Sequence, residues 1–318
     1  MIVDLPETTT TAVNKKLMDL RDEGGVVALG RVLTLVVLAS EGSEEEAIEA
    51  ANAASREHPC RIIVHVPVDA AEGVDDADRM DAQIRVGGDA GAAEVVVLRC
   101  SGVLADPDEP LLAALLLPDA PIVAWWPRRA PVNAAASSIG AIAHRRITDT
   151  GNAADPLAAL GRIGQTYTAG DTDLAWTRLT NWRLQLAAAV DEFLADGGDV
   201  STVDAIRVEG AEDSPSTMLL AGWLSLRFGV EAAVSDQPPG LGIGLVEIRT
   251  ASGSVMLSRP DTAIATLSMP GQADQHIALP KRTLQECLAE ELRRLDPDEV
   301  FGEVVTEGLP LCRREQAA

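Results

Sequence analysis

Aromatic side chains are scarce in this sequence, because phenylalanine, tryptophan and tyrosine together make up only 3% of the 318 residues. The core must therefore be filled by Leu, Val, Ile and Ala, and each tryptophan becomes an informative position. With 47% hydrophobic and 24% charged residues the chain has the balance of a folded protein, which excludes disorder throughout, and its length suits two ordinary domains. The five tryptophans are Trp125, Trp126, Trp176, Trp182 and Trp223.

Positive charge is also in short supply. The formal net charge is −23, and lysine occurs only at Lys15, Lys16 and Lys281. Such an acidic surface repels polyanions. We therefore expect neither nucleic acid nor an acidic membrane surface as a partner.

Signals for export and membrane insertion are missing as well. Residues 1–16, MIVDLPETTTTAVNKK, lack the basic start and apolar run of a signal peptide, and the longest mostly apolar run, 32–39, is far shorter than the roughly 20 residues of a membrane helix. We expect a cytoplasmic protein whose thiols remain reduced. The cysteines are too widely spaced to predict an obligatory redox switch; they are Cys60, Cys100, Cys287 and Cys312.

Common catalytic and phosphate-binding motifs are absent from the sequence, which contains no GxxxxGK[ST], GxSxG or HExxH. Gly240, Gly242 and Gly244 have the wrong spacing for a dinucleotide loop and predict an ordinary turn. No two of the four histidines have the helical spacing of metal ligands. These observations predict a protein that is not an enzyme and that has no cofactor, metal or catalytic residue.

The first half of the chain shows alternating strand and helix patterns. Residues 26–39 and 60–68 are rich in β-branched side chains and predict buried strands, and a helix between them, 43–57, begins with Ser43 as its N-cap and acidic residues in its first turn. A strand, a helix and a strand in this order imply a parallel pair. Further strands are expected near 82–88, 94–100, 120–126 and 142–150.

The second half has short runs separated by turns between 244 and 280, which predict an antiparallel meander. A helix before the meander is expected to begin at Pro215 with Ser214 as its cap. The small polar residues 168–173 indicate a domain boundary. The predicted fold class is α/β, with an N-terminal mixed α/β-sheet domain (1–167) followed by an α+β domain that contains the antiparallel meander (172–318).

A long helix is predicted from Leu174 to Leu194, ending at Gly197 and Gly198. At 100° per residue its apolar side chains form one stripe that we expect to hold the second domain together. Trp176 and Arg183 lie near the edge of this stripe. The stripe consists of Ala175, Leu179, Trp182, Leu186, Val190 and Phe193.

The segment 118–131, PDAPIVAWWPRRAP, places two tryptophans and two arginines at a predicted strand end. Side chains alternate along a strand, so one ring is expected on each face of the sheet, as core, as a sugar-binding surface or as the anchor of a protein interface. Ligands and partners of open α/β sheets bind at carboxyl strand ends, and Trp with Arg is typical of interface hot spots. The candidate partner-binding residues are Trp125, Trp126, Arg128, Arg129, Trp176 and Arg183.

Five motifs occur in the order HPCRIIV, APIVAWWP, DLAWTRLTNWR, LLAGWLSLRFG and LDPDEVF. Together they resemble the glucose-6-phosphate dehydrogenase assembly protein family, OpcA, over most of the chain. The resemblance implies a non-catalytic partner that binds glucose-6-phosphate dehydrogenase and promotes its active oligomer in the oxidative pentose phosphate pathway. The alternative hypothesis is a small-molecule enzyme or sensor that binds a sugar phosphate in the α/β domain through Arg128 and Arg129.

Overall fold

A computed structural model describes residues 1–24, 32–68, 78–86, 94–237, 242–260 and 263–314. The chain divides into two compact units. The first unit contains Met1–Asp149, Gly170–Thr172 and Leu284–Pro297. The second unit contains Thr150–Ala169, Asp173–Thr283 and Asp298–Ala318.

The regular elements are numbered in chain order. The strands are β1 (Ile2–Leu5), β2 (Leu33–Leu38), β3 (Cys60–Pro67), β4 (Arg79–Arg85), β5 (Glu94–Ser101), β6 (Ile122–Trp126), β7 (Arg145–Thr148), β8 (Asp171–Asp173), β9 (Ala205–Ala211), β10 (Ala232–Gln237), β11 (Ile243–Thr250), β12 (Gly253–Ser258), β13 (Ile264–Ser268), β14 (Gln275–Ala278) and β15 (Cys312–Arg314). The α-helices are α1 (Thr10–Gly24), α2 (Glu44–Ser55), α3 (Glu109–Leu112), α4 (Ser138–Ile142), α5 (Pro156–Thr166), α6 (Leu174–Thr177), α7 (Thr180–Ala195), α8 (Pro215–Phe228), α9 (Leu284–Arg293) and α10 (Glu299–Glu303).

The first sheet has the strand order β1-β4-β5-β3-β2-β6-β7-β8. From β5 to β7 neighbouring strands run parallel, whereas β4 is antiparallel to both β1 and β5. Leu35 of β2 lies between Ile62 of β3 and Val123 of β6. The predicted parallel pair is confirmed, although residues 26–31 of the predicted strand lie outside the described residues.

The central strands are apolar along their whole length because the sheet is covered by helices. Val36, Ile63 and Val96 pack in one cluster with Val13 and Leu17 of α1. Helix α2 buries an alanine-rich face and contacts both β3 and α9. These contacts hold the carboxyl ends of the parallel strands in fixed positions at one edge of the sheet.

The second sheet has the order β14-β13-β12-β11-β9-β10-β15. Strands β11 to β14 form the predicted antiparallel meander, whereas β9 and β10 are parallel and are connected by α8. The expected cap of α8 is confirmed, because Ser214 Oγ accepts a hydrogen bond from the Thr217 amide at 3.2 Å. The second unit is therefore α+β, with one strand–helix–strand crossover beside the meander.

Helix α2 begins where the sequence predicts, but Ser43 does not cap it with its side chain. Its hydroxyl instead donates a hydrogen bond to the carbonyl of Ser40 at 2.9 Å. Ser43 therefore stands at the N-cap position, but its hydroxyl is bonded within the preceding turn and does not cap the helix.

The predicted long helix from Leu174 is divided into α6 and α7. The apolar stripe continues from α6 into α7, since Leu179, Trp182 and Leu186 are each at most 3% exposed and belong to one core cluster of the second unit. Gly197, with φ of +87°, follows the end of α7 as expected.

The two units differ from the expected domains 1–167 and 172–318 in two segments. Helix α5 belongs to the second unit because Leu160 is buried in its core cluster. Helix α9 belongs to the first unit, where it contacts α2. Each helix is separated in the sequence from the rest of the unit that buries it. The polar composition near residue 170 marks a boundary but does not show that these two helices pack in the other unit.

We expect Trp182→Ala to destabilise the second unit by about 3 to 5 kcal/mol, because the ring is 3% exposed within the core. Leu184 is a matched control on the same helix, since it is 62% exposed, and Leu184→Ala should change the free energy of unfolding by about 0.5 kcal/mol or less. Urea unfolding of both variants measures the difference. Equal effects of the two substitutions would contradict the assignment of the stripe as core.

Candidate functional site

The two tryptophans at the end of β6 are both buried. Trp125 is fully buried, and Trp126 is 6% exposed and packs in the same cluster as Val36 and Ile63. Because side chains alternate along β6, Trp125 lies on the opposite face. Neither ring forms an exposed platform for a sugar. After the strand, the chain becomes exposed beyond Pro127, at Arg128 and Arg129.

Trp176 and Arg183 form a separate group in the second unit. The Trp176 ring is 1% exposed, and its indole Nε1 donates a hydrogen bond to Asp298 Oδ2 at 2.9 Å. The Arg183 guanidinium lies 3.8 Å from the centre of that ring, which is a favourable cation–π geometry. Asp298 also caps α10 by accepting from the Phe301 amide at 3.0 Å. The motifs DLAWTRLTNWR and LDPDEVF thus contact each other in the second unit.

A crevice of about 560 Å³ lies at the carboxyl edge of the first sheet. Its walls come from the ends of β2, β3 and β6 and from the loops that follow β5 and β6. The chain extends the sheet from β2 towards β3 and β5 and then returns to place β6 on the other side of β2, which makes this edge a topological switch point. Lining side chains include Ser40, His65, Asp106, Trp126, Arg129 and Ser138.

His65 lies at the floor of this crevice and is 1% exposed. Its Nε2 is 2.9 Å from the carbonyl oxygen of Leu104, and since a carbonyl only accepts, Nε2 carries the proton. Burial lowers the pKa of His65, an effect that the Leu104 bond and the nearby charge of Asp106 partly oppose. The imidazole is therefore neutral near pH 7 and joins β3 to the loop after β5.

Three glutamates occupy the first turn of α2, beside the end of β2. Each one pairs with an arginine: Glu44 with Arg99 at 3.1 Å, Glu45 with Arg85 at 2.6 Å and Glu46 with Arg128 at 3.1 Å. The hydrogen bond from Arg85 lowers the pKa of the Glu45 carboxyl. In doubly wound sheets this helix start is the position that binds phosphate. Carboxylates there favour cationic groups and disfavour a dinucleotide or sugar phosphate.

The thiols of Cys100 and Cys312 are not activated. All four cysteines are free, with three buried and Cys312 half-buried, and burial raises the pKa of Cys100 to about 12 and that of Cys312 to about 11. A protonated thiol is a poor nucleophile and a poor metal ligand.

Within the described ranges no group of three His, Cys, Asp or Glu side chains could hold a metal ion. No described helix is long and apolar enough to cross a membrane.

The structure brings together only part of the predicted site. Trp126 and Arg129 line the crevice, and Arg128 is held beside it by Glu46. Trp176 and Arg183 lie in the other unit. Sequence reasoning missed the glutamate–arginine pairs and His65, because each involves residues far apart in the chain. The acidic run at residues 44–46 is the one visible signal, and by itself it indicates only the start of a helix.

Two family models match the chain in sequence order. The N-terminal domain of the glucose-6-phosphate dehydrogenase subunit OpcA matches residues 51–165, and the C-terminal domain of the same subunit matches residues 169–305. This chain belongs to the OpcA family. The resemblance carried by the five motifs is thereby confirmed, and the OpcA domains associate the chain with glucose-6-phosphate dehydrogenase assembly.

A solved structure also shows similarity to this OpcA chain. The crystal structure of an oxidoreductase from Sinorhizobium meliloti is 11% identical, with 88% of this chain and 96% of that chain covered at a TM-score of 0.43. No curated protein matches the sequence.

The lowered pKa of His65 predicts a pH-dependent stability. Because the folded-state pKa lies below the unfolded value of about 6.5, His65 stabilises the fold above that pH, and this stabilisation is lost as the pH falls through the folded-state pKa. We expect the melting temperature to drop between pH 7.5 and pH 5.5, and to drop less in His65→Gln. The exposed His276 is the control, and His276→Gln should keep the full drop. An identical drop in the wild type and His65→Gln would contradict the prediction.

The four cysteines are largely buried and should therefore react slowly in the native protein. We expect iodoacetamide at pH 7.5 to label the four thiols completely only after unfolding in urea, with Cys312 modified first because it is the least buried. Mass spectrometry of timed samples measures the order. Rapid labelling of any one thiol in the native protein would identify a reactive cysteine and contradict this prediction.

Proposed function

We propose that this protein is a non-catalytic assembly factor that binds glucose-6-phosphate dehydrogenase in the cytoplasm and promotes its active oligomer. The observation that carries the proposal is the match of both OpcA domains, in order, along one chain. Activation of the dehydrogenase would then arise from assembly, with this chain acting as an allosteric partner in the oxidative pentose phosphate pathway.

The carboxyl edge of the first sheet offers a surface suited to a protein partner. Arg128 and Arg129 are exposed there, and Val103 and Val132 are 73% and 69% exposed. These valines lie in the loops after β5 and β6, whose neighbouring residues line the same crevice. We call these four residues the edge surface. Arginine is enriched at protein interfaces, in which a few side chains supply most of the binding energy, and the two valines add exposed apolar area beside the arginines.

The groups at the crevice support a binding role rather than catalysis. His65 is neutral, and its proton-bearing nitrogen is engaged by the Leu104 carbonyl. Glu46 pairs with Arg128 and orients it. The Arg128 side chain is 46% exposed, so its guanidinium remains at the surface. An ion pair at such exposure is worth about 1 kcal/mol or less. A carboxylate or carbonyl of a partner can therefore compete with Glu46 at small cost.

The alternative function, a sugar-phosphate enzyme or sensor acting through Arg128 and Arg129, is disfavoured by the charges around α2. Glu44, Glu45 and Glu46 stand where a phosphate would bind. The purified chain, incubated with glucose 6-phosphate, 6-phosphogluconolactone and NADP without the dehydrogenase, distinguishes the two functions. We expect no turnover. Turnover that is lost on replacing Arg128 and Arg129 would establish the alternative.

Replacing both Arg128 and Arg129 by Ala should weaken the complex with glucose-6-phosphate dehydrogenase by on the order of 2 kcal/mol, or roughly 30-fold in Kd. The fold should be unaffected, because exposed substitutions change stability by only about 0.5 kcal/mol. Titration of the dehydrogenase by calorimetry, with thermal melts in parallel, measures both quantities. The dehydrogenase rate with and without each variant reports the functional consequence.

A matched control removes two exposed arginines elsewhere. Arg207 and Arg313 have side chains 48% and 68% exposed and each pairs with a glutamate, as Arg128 does. The double variant Arg207→Ala, Arg313→Ala should bind the dehydrogenase normally. If the edge variant binds normally, or if both double variants lose affinity equally, the edge surface is not the contact. If the wild type neither binds the dehydrogenase nor changes its rate, the assembly role is refuted.

A further inference from the structure

A second cavity, of about 420 Å³, lies within the second unit. Four cationic side chains line it, in a chain with a net charge of −23. Asp213 is the acidic side chain found among the described lining residues. The volume falls within the usual range for small-molecule sites, about 300 to 1,000 Å³. The cationic residues are Arg178, Arg259, Lys281 and Arg282.

The cavity lies at the start of a long helix that follows a parallel strand. Ser214, Pro215 and Ser216 form one wall, at the beginning of the 14-residue helix α8. Strand β9 leads into this turn, and its parallel neighbour β10 follows the helix. The amino end of such a helix carries a partial positive charge, which adds to the field of the four cations.

Two of the arginines are held in position by backbone carbonyls. Arg259 is 6% exposed and donates to the carbonyls of Leu279 at 3.0 Å and Ile243 at 3.3 Å. Arg282 donates to the carbonyl of Thr177 at 2.8 Å. These hydrogen bonds fix the orientation of the two guanidinium groups. The positive groups are therefore positioned before any ligand arrives, which reduces the entropic cost of binding.

Gly242 shows how closely the cations approach one another. With φ of +69°, it lies in the region that favours glycine, and a Cβ there would be 3.7 Å from both Arg259 Nη2 and Lys281 Cε. Gly242 is thus close to two cationic side chains, one from the residue that follows β12 and one from the loop before α9. Lys281, one of only three lysines in the chain, is exposed at this border.

We propose that this cavity binds the phosphate group of a small phosphorylated metabolite. A phosphate monoester carries about −1.5 to −2 charges near pH 7 and three acceptor oxygens, which matches several convergent cations better than a single carboxylate does. Arginine forks fit phosphate oxygens, and the start of α8 supplies the usual helix geometry. The Trp182 ring, which lies beneath the Arg259 guanidinium at 5.0 Å, contributes an apolar wall for the rest of the ligand.

The test is calorimetric titration of the whole purified chain, without the dehydrogenase, so that its outcome is independent of the assembly role. Glucose 6-phosphate and inorganic phosphate are the phosphate probes, glucose tests the uncharged sugar and citrate tests a polycarboxylate. We expect both phosphates to bind, glucose not to bind and citrate to bind more weakly than glucose 6-phosphate.

Two substitutions locate the site. Lys281→Gln and Arg178→Gln should each weaken glucose 6-phosphate at least about tenfold, as expected for the loss of one charge-assisted hydrogen bond. Arg207→Gln, an exposed cation of the same unit outside this cavity, should leave the affinity unchanged. Thermal melts establish that all three variants fold.

Four results would overturn the proposal. They are the absence of phosphate binding, equal affinity for glucose and glucose 6-phosphate, tighter binding of citrate than of the phosphates, and binding that survives both Lys281→Gln and Arg178→Gln. Phosphate binding that depends instead on Arg128 and Arg129 would move the site to the crevice of the first unit and equally refute it.

Discussion

Parallel pairing of β2 with both β3 and β6 is the constraint on which the candidate contact surface depends. Parallel strands bring their carboxyl ends to one edge, so loops from distant parts of the chain converge there. His65, Arg129 and the loop after β5 become neighbours for this reason. The covering helices hold the strand ends rigid, and a rigid edge presents its exposed side chains at a smaller entropic cost than a mobile loop would.

The two units use a similar local geometry with opposite charge. In each, a strand leads into a helix near a cavity: Ser40 and Glu41, in the connection before α2, line the first cavity, and the start of α8 lines the second. The first turn of α2 carries Glu44, Glu45 and Glu46, which engage arginines, whereas the start of α8 carries no acidic residue in its first turn and faces a cavity lined by cations. Because local charge decides what a helix terminus binds, the acidic start of α2 favours arginines and the start of α8 favours an anion.

Scarcity of aromatic residues gives the tryptophans structural roles. Trp125, Trp126, Trp176 and Trp182 are all at most 6% exposed, so each large ring fills volume that aliphatic side chains alone would fill less well. The rings also make specific contacts. Trp176 donates an indole hydrogen bond to Asp298, and the Arg183 guanidinium lies over the Trp176 ring. Residues that suggest an interface by composition therefore act mainly inside the protein, and the arginines next to them reach its surface.

The sequence by itself determined many of the strands and helices, the parallel β2–β3 pair, the meander, the Ser214 cap and the family, because these follow from local periodicity, turn chemistry and ordered motifs. Tertiary structure alone decided which core buries α5 and α9, that both rings of the Trp125–Trp126 pair are enclosed, and which arginine pairs with which glutamate. It also gathered Arg178, Arg259, Lys281 and Arg282 around one cavity. Local pattern cannot specify such contacts, since any arginine can pair with any carboxylate until the fold sets the distances between them.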